Sequence, residues 1–207
     1  MEESPRGGGL LRLDRAVVRR KPFFTLCGEP AAHDKAWAHT MNAETIKSLF
    51  FLLFAGLVLC AALRDLVSYT IPNWISGGLA LAFAPAAFAA HLSWPAIGLD
   101  VAAGLGVLAL GAVFFALGWI GGGDAKLMAA SALWIGPGGL APFALFTALA
   151  GGVLALCLLG LRTAWVSPIA AAGPAWAKRL ATPGEATPYG VAIAVAGLAA
   201  FAAHPLA

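Results

Sequence analysis

The sequence has little charge. Only 11 % of its 207 residues are Asp, Glu, Lys or Arg, whereas 60 % are hydrophobic and the mean hydropathy is +0.84. A soluble domain carries about a quarter charged residues, so this composition excludes an ordinary soluble protein. From about Thr45 onward the apolar stretches are long enough to cross a bilayer, which takes about 20 residues each. We therefore predict a polytopic integral membrane protein that resides in a lipid bilayer.

Cysteine pairs and several catalytic motifs are also missing. The three cysteines, Cys27, Cys60 and Cys157, form no CxxC pair, which argues against a disulfide framework and a zinc ribbon. The four histidines are isolated and lack metal-ligand spacing. Without HExxH, GxSG, a P-loop or GxGxxG, a zinc protease, a serine intramembrane protease and a nucleotide-dependent enzyme have no support. We predict no metal, no cofactor and no nucleic-acid partner.

Residues 1–40 differ from the rest of the chain. They hold seven of the thirteen Lys and Arg residues, and their Arg, Gly and Pro content predicts disorder. No apolar segment of a signal peptide occurs before Lys47. The sequence from Met41 resembles the natural start of a membrane protein. Two interpretations stay open for residues 1–40, an over-long translation of the reading frame or a cytosolic tail, and we place the membrane domain at 41–207.

Six apolar segments follow Met41, each continuous rather than alternating. Spanning segments in lipid are helices or closed barrels, because unpaired backbone groups cannot be solvated there, and continuous runs indicate helices. The predicted fold is all-α, with about six transmembrane helices. The segments are approximately Thr45–Leu63, Trp74–Ala90, Ile97–Ile120, Ala125–Ile135, Leu140–Leu161 and Pro188–Ala203. Small residues such as Gly104, Gly111 and Gly118 would let helix backbones approach closely, although an Ala-rich composition explains them equally well.

Acidic residues are rare after Met41. They are Glu44, Asp65, Asp100, Asp124 and Glu185. Ionisable groups in or beside membrane segments are costly and tend to be functional. Asp100 lies near the start of its helix, where a carboxylate suits the helix dipole and the membrane interface, so we interpret it as structural.

Asp65 and Asp124 are predicted to lie at one face of the membrane, because two crossings separate them. Basic residues share that face: Arg64, Lys126, Arg162, Lys178 and Arg179. By the positive-inside rule this face is cytoplasmic. Residues 1–40 break the rule, since they would place seven more positive charges outside.

Two carboxylates at one membrane face suggest aspartyl protease chemistry. Two carboxyls that share a site cannot both ionise cheaply, so one can take a proton from water while the other donates to the scissile carbonyl oxygen. The glycines at 121–123 would allow positive φ and an unwound segment that admits water and an extended peptide. The alternative is a helix break in which an interfacial Asp124 pairs with Lys126.

Three motifs carry a family resemblance. The stretch 121-GGGD-124, followed by AKLMAA, resembles the second active-site motif of type IV prepilin peptidases, which are GxGD aspartic proteases. The stretch 65-DLVSYTIPNWIS-76 resembles the first, with Ser68, Tyr69 and Thr70 where basic residues are usual. The final 188-PYG-190 is similar to the last-helix signature. The resemblance implies catalysis by Asp65 and Asp124, with support from Gly121, Gly122, Gly123, Lys126, Pro72 and Asn73.

The chain resembles the short Flp (tight-adherence) type of this family. Only about eight residues separate Asp65 from the next helix, which leaves no room for the cysteine-bearing insertion of the longer, methylating peptidases. The resemblance implies cleavage of the basic leader from Flp prepilins and pseudopilins at the cytoplasmic face of a bacterial inner membrane, for pilus assembly or type II secretion. Two alternatives remain: a small transporter or proton-relay protein, which needs acids at mid-membrane, and a non-catalytic pilus-assembly scaffold.

Overall fold

The structure is a computed structural model that describes residues 32–163, 174–182 and 184–201. Every regular element in these ranges is a helix, which confirms the all-α prediction. The helices are α1 (Ala32–Ser68), α2 (Asn73–Ala89), α3 (Trp94–Ala116), α4 (Gly122–Leu161), α5 (Ala175–Ala181) and α6 (Gly190–Phe201).

The chain divides into two units, Met1–His39 and Thr40–Ala207. Of the first unit, only the beginning of α1 is described. That helix starts at Ala32, inside the segment for which the sequence predicts disorder. Residues 1–31 lie outside the described part of the chain, and the disordered or mistranslated leader stays a prediction.

Three helical segments are long and apolar enough to cross a membrane: Thr45–Ser68, Trp94–Ala116 and Gly122–Leu161. Helices α2 and α6 are apolar but have only 17 and 12 residues. A straight 12-residue helix is about 18 Å long, less than the roughly 30 Å of a hydrocarbon core. The membrane character is supported, and the number of six crossings stays a prediction.

Helix α4 is interrupted at Gly136, whose φ of 67° and ψ of 174° are non-helical. Beyond this break, a Cβ at Gly139 would lie 3.7 Å from the carbonyl oxygen of Ala200, and Gly151 lies against the ring of Tyr189. Because Tyr189 precedes α6 and Ala200 is near its end, the second half of α4 runs antiparallel to α6.

The first half of α4 runs in the opposite direction. Gly123, near its start, and Gly190, the first residue of α6, both contact Ile71. Further along, the hydroxyl of Ser131 lies near Gly197. The chain therefore reverses at the 136-GPGG-139 break, where the sequence predicts the end of one apolar segment and the start of another.

Aromatic side chains join α4 to its neighbours in the core. Trp134 is fully buried, and its indole N–H donates to the carbonyl oxygen of Leu79 on α2 over 2.7 Å. Its ring lies 5.7 Å from that of Phe54 on α1 and 6.0 Å from that of Phe201 on α6. The rings of Phe54 and Phe201 stack at 4.6 Å. This cluster fixes the first half of α4 between α1, α2 and α6.

Helix α3 packs on α4 through small residues. A Cβ at Gly111 would lie 3.0 Å from the Cβ of Ala125, and one at Gly104 would lie 3.2 Å from that of Leu133. The close-approach interpretation of these two glycines is thereby confirmed. Gly118 instead follows the helix, with a φ of 74° and no atom within 4 Å of its Cβ position.

Candidate active site

Asp65 lies inside the last turn of α1. The sequence predicts that the apolar segment ends at Leu63, but the helix continues to Ser68 because no helix breaker precedes Tyr69. Tyr69 then adopts a φ of 55°, and its backbone N–H donates to the carbonyl oxygen of Asp65 over 2.8 Å. This left-handed residue closes the helix in the way that glycine usually does. The Asp65 side chain is 6 % exposed.

Gly190 holds the carboxylate of Asp65. Its backbone N–H donates to Oδ2 over 2.7 Å, and the donor is an otherwise unsatisfied N–H at the start of α6. A Cβ at position 190 would lie 2.9 Å from this oxygen and 3.0 Å from the Cβ of Asp65. Only glycine at position 190 allows the start of α6 to approach Asp65 of α1 so closely. The 188-PYG-190 motif therefore fixes the first aspartate.

Asp124 lies in the first turn of α4, three residues after the N-cap Gly121. Its side chain turns back, so that Oδ2 would lie 2.9 Å from a Cβ at Gly121. An acidic residue at this position can accept from the N-cap N–H, as in a capping box, and it is favoured by the helix dipole. Asp124 is half-buried, so it is more accessible than Asp65.

Of the three glycines before Asp124, only Gly121 is non-helical, and none has the positive φ that the sequence suggests. Gly121 has an extended φ of −72°, while Gly122 and Gly123 are already helical. Their role is close packing. A Cβ at Gly122 would lie 3.3 Å from the ring of Phe115, and one at Gly123 would lie 3.1 Å from the Cβ of Ile71. The irregular stretch between α3 and α4 covers residues 117–121, and within it only Gly118 has a positive φ.

Ile71 brings the two motif segments together. Its side chain contacts Gly123, the residue before Asp124, and Gly190, the residue that holds Asp65. The residues that adjoin the two carboxylates, Gly123 and Gly190, therefore lie against the same side chain. A single residue of the I-P-N turn thus spans both halves of the site.

The remaining predicted support residues lie at the start of α2. Pro72 is its N-cap, with a φ of −61°, and Asn73 is its first residue. The Lys126 ammonium donates to Oδ1 of Asn73 over 2.9 Å, which ties α2 to the first turns of α4. The helix-break alternative requires Lys126 to pair with Asp124, but its hydrogen-bond partner is Asn73.

Asp100 lies apart from this site. Gly111 of α3 lies against Ala125, the residue after Asp124. Asp100 precedes Gly111 by eleven residues, which is about 16 Å along α3. It is the seventh residue of α3 and 3 % exposed. This position beyond the first turn does not fit the expected helix-dipole role, and the interpretation of Asp100 as a structural residue stays a prediction.

Tyr69 and two arginines adjoin the site without having been predicted as site residues. The Arg179 guanidinium on α5 lies 5.8 Å from the centroid of the Tyr69 ring, within cation–π range. Arg162 donates to the carbonyl oxygens of Leu180 and Glu185, at 3.1 and 2.9 Å. Helix α5 is a short element between the last two predicted apolar segments. Pro174 before it and basic residues in its last turn are the signals that could have found it.

The Tyr69 hydroxyl is buried and has no hydrogen-bond partner among the described residues. Burial raises the pKa of this phenol above its ordinary value, and the charge of Glu185 raises it further. A buried hydroxyl without a partner is unusual in a folded protein.

The fold and the site define a helical membrane protein in which Ile71 links the helix end that carries Asp65 to the one that carries Asp124. A model of the type IV leader peptidase family matches residues 52–156, just over half of the chain. The chain belongs to the type IV leader peptidase family, as its motifs indicated, and this makes it a peptidase. The matched range contains Asp65 and Asp124 but ends before Gly190. Neither the curated proteins nor the solved structures gave a match.

Proposed function

We propose that the chain is an aspartic endopeptidase in which Asp65 and Asp124 form the catalytic dyad. The observation that carries the proposal is the convergence of two distant motifs, since Ile71 contacts both Gly123 and Gly190. Each carboxylate is fixed by backbone at a helix end, and neither uses a lysine or arginine as its described partner. Such a pair is suited to exchanging protons rather than to a structural ion pair.

The proposed reaction uses one ionised and one protonated carboxyl. The ionised group takes a proton from water, the resulting hydroxide equivalent attacks the peptide carbonyl carbon, and the protonated group donates to the carbonyl oxygen. The tetrahedral intermediate then collapses, its C–N bond breaks, and the leaving amine receives a proton from the dyad. Two carboxyls in electrostatic contact favour sharing one proton, because both cannot ionise cheaply.

The proposed substrates are Flp-type prepilins and pseudopilins, cut between a basic leader and an apolar helix. The dyad lies in the last turn of α1 and the first turn of α4, at the ends of apolar segments. A peptide bond at the boundary of water and membrane could reach such a site. We propose the cytoplasmic face, because Arg64, Lys126 and Arg179 are exposed at this end of the protein.

A reporter fused after Arg179 should then be cytoplasmic, and one in the 91–95 loop should be external.

The positions of the acids disfavour a transporter. Ion-coupling acids are expected near mid-membrane in broken helices. The break in α4 is at Gly136, twelve residues and about 18 Å of helix from Asp124. A non-catalytic scaffold, in contrast, would tolerate loss of either aspartate.

The test is processing of a Flp-type prepilin by Asp65→Asn and Asp124→Asn variants. Asn keeps the size of the side chain but cannot cycle a proton, so each variant should fall to background and the double variant should be hardly worse. Asp100→Asn is the matched control, because it makes the same change in a buried carboxyl about 16 Å away along α3, and it should retain most activity. Cleavage at a near wild-type rate by either inserted single variant would refute the dyad.

A further inference from the structure

A groove of about 360 Å³ lies between α2, α3 and α4. Each helix contributes residues spaced by three and four positions, which form one helix face. These faces extend from Asn73 to Ala80 on α2, from Val101 to Leu108 on α3 and from Lys126 to Leu133 on α4. The volume is within the range of pockets that bind ligands, about 300–1,000 Å³.

One end of the groove adjoins the dyad. The hydrogen-bonded pair of Asn73 and Lys126 lines this end, and Lys126 is two residues after Asp124. From there the groove continues for about two helical turns, roughly 10 Å, along α4. Its lining beyond the polar end is almost entirely apolar or small, with Gly77 and Ala80 on the α2 side.

The position and lining of the groove indicate what kind of molecule it receives. Its polar end lies two residues from Asp124, and the rest of its lining is almost entirely apolar or small. The part of a prepilin that follows the scissile bond is apolar, so it matches a surface that begins beside the dyad and continues between apolar helix faces.

We propose that this groove binds the apolar segment of the substrate that follows the scissile bond. The inference rests on the proposed function and specifies where the substrate lies. With the scissile bond at the dyad, the chain after it would continue past Asn73 and Lys126 into the apolar part of the groove. The small residues on its α2 side permit close approach of a helix backbone.

Two adjacent glycines give a matched test. Neither Gly77 nor Gly78 has an atom within 4 Å of its Cβ position, so a larger side chain fits at both, but only Gly77 lines the groove. The substrates are a Flp-type prepilin with its apolar helix and a soluble peptide that ends a few residues after the scissile bond. Gly77→Leu should lower kcat/KM at least about tenfold for the prepilin, because the leucine occupies space that the substrate needs, and leave the peptide unaffected. Gly78→Leu should change neither.

The outcomes separate the two levels of the proposal. If the wild-type protein cleaves both substrates and Gly77→Leu behaves like Gly78→Leu, the groove assignment is wrong while the peptidase function stands. If the wild-type protein cleaves neither substrate, the proposed function fails and the groove assignment fails with it. An equal loss on both substrates would also overturn the assignment, because it would show general damage.

Disulfide trapping provides a measurement that does not depend on cleavage. The full chain would carry Asp124→Asn and serine at all three native cysteine positions. A single cysteine would then be introduced either in the groove, as Ala80→Cys, or outside it, as Leu81→Cys, where the side chain is 78 % exposed. A prepilin with one cysteine in the first two turns of its apolar helix should cross-link to position 80 and not to 81. Equal cross-linking at both positions, or a position-80 dimer of this chain formed without prepilin, would refute the assignment.

Discussion

Gly190→Ala tests the geometry that fixes Asp65. The added Cβ would lie 2.9 Å from Oδ2 and 3.0 Å from the Cβ of Asp65, and 3.1 Å from Cδ1 of Ile71. Carbon atoms in contact are normally about 3.5–4.0 Å apart, so these groups must separate by roughly 0.5–1 Å. The Cβ of Asp65 is attached directly to the α1 backbone and cannot rotate away. The helices themselves must therefore shift.

The expected effect is larger on activity than on stability. A displacement of about 1 Å in a catalytic group can cost up to about 100-fold in rate, and overpacking a core costs about 1–3 kcal/mol of unfolding free energy. The shift would also lengthen the 2.7 Å hydrogen bond from Gly190 to Asp65 and move Ile71, which contacts Gly123 on the other side of the site. We expect kcat for prepilin cleavage to fall by between about 10- and 100-fold.

Gly197→Ala on the same helix is the control. Its Cβ would meet Phe54 at 3.4 Å, which is an ordinary contact, and alanine favours the helix by about 1 kcal/mol. The cleavage rates of both purified variants and their unfolding temperatures in detergent show whether the loss of activity is specific to Gly190→Ala. Full activity of Gly190→Ala, or an equal loss in Gly197→Ala, would refute the close-approach reasoning.

Three further changes probe other contacts. Gly151→Ala should lower the unfolding free energy by about 1–3 kcal/mol, because the added Cβ collides with Tyr189. Its control, Gly152→Ala, has no atom within 4 Å of the added Cβ and should be neutral or stabilising. Thermal unfolding of the two variants tests this. Lys126→Met removes a hydrogen bond worth about 1 kcal/mol and should reduce kcat/KM about fivefold, and an unchanged value would show that the bond is dispensable. Tyr69→Phe should leave the unfolding temperature at pH 8 unchanged or higher, since it removes a buried hydroxyl without a described partner. Because burial raises the pKa of Tyr69, the wild-type protein should lose stability as the pH rises past 10, and Tyr69→Phe should lose less. If the unfolding temperatures of the two proteins fall in parallel as the pH rises, this expectation is contradicted.

The helices and the chain reversal were predictable because they depend on local signals. Continuous apolar runs predict helices in lipid, and the 136-GPGG-139 stretch predicts a break that the structure has at Gly136. The two aspartates were also identifiable from the sequence, since charged groups are rare in such a chain. Element ends were less predictable, because α1 runs five residues past Leu63 before a left-handed Tyr69 closes it.

The contacts that assemble the site were not predictable, because they are tertiary. The sequence indicates that the three glycines at 121–123 are special but not why. Their environment is set by Phe115 and Ile71, and it requires small size rather than positive φ. The hydrogen bond from Gly190 to Asp65 has no local signal at all. The resemblance pointed to the PYG motif, and only the fold gives it a physical role.

The hydrogen bond between Gly190 and Asp65 also imposes an order on biosynthesis. Its partners are 125 positions apart, so a ribosome adding about 5–20 residues per second makes the donor roughly 6–25 s after the acceptor. Through that interval the nascent chain carries Asp65, and for the later part Asp124 as well, without the N–H that orients the first carboxylate. The short helix α6 is the last described element to be synthesised. The hydrogen bond that fixes Asp65 can therefore form only after Gly190 has been synthesised, however the earlier helices have already packed.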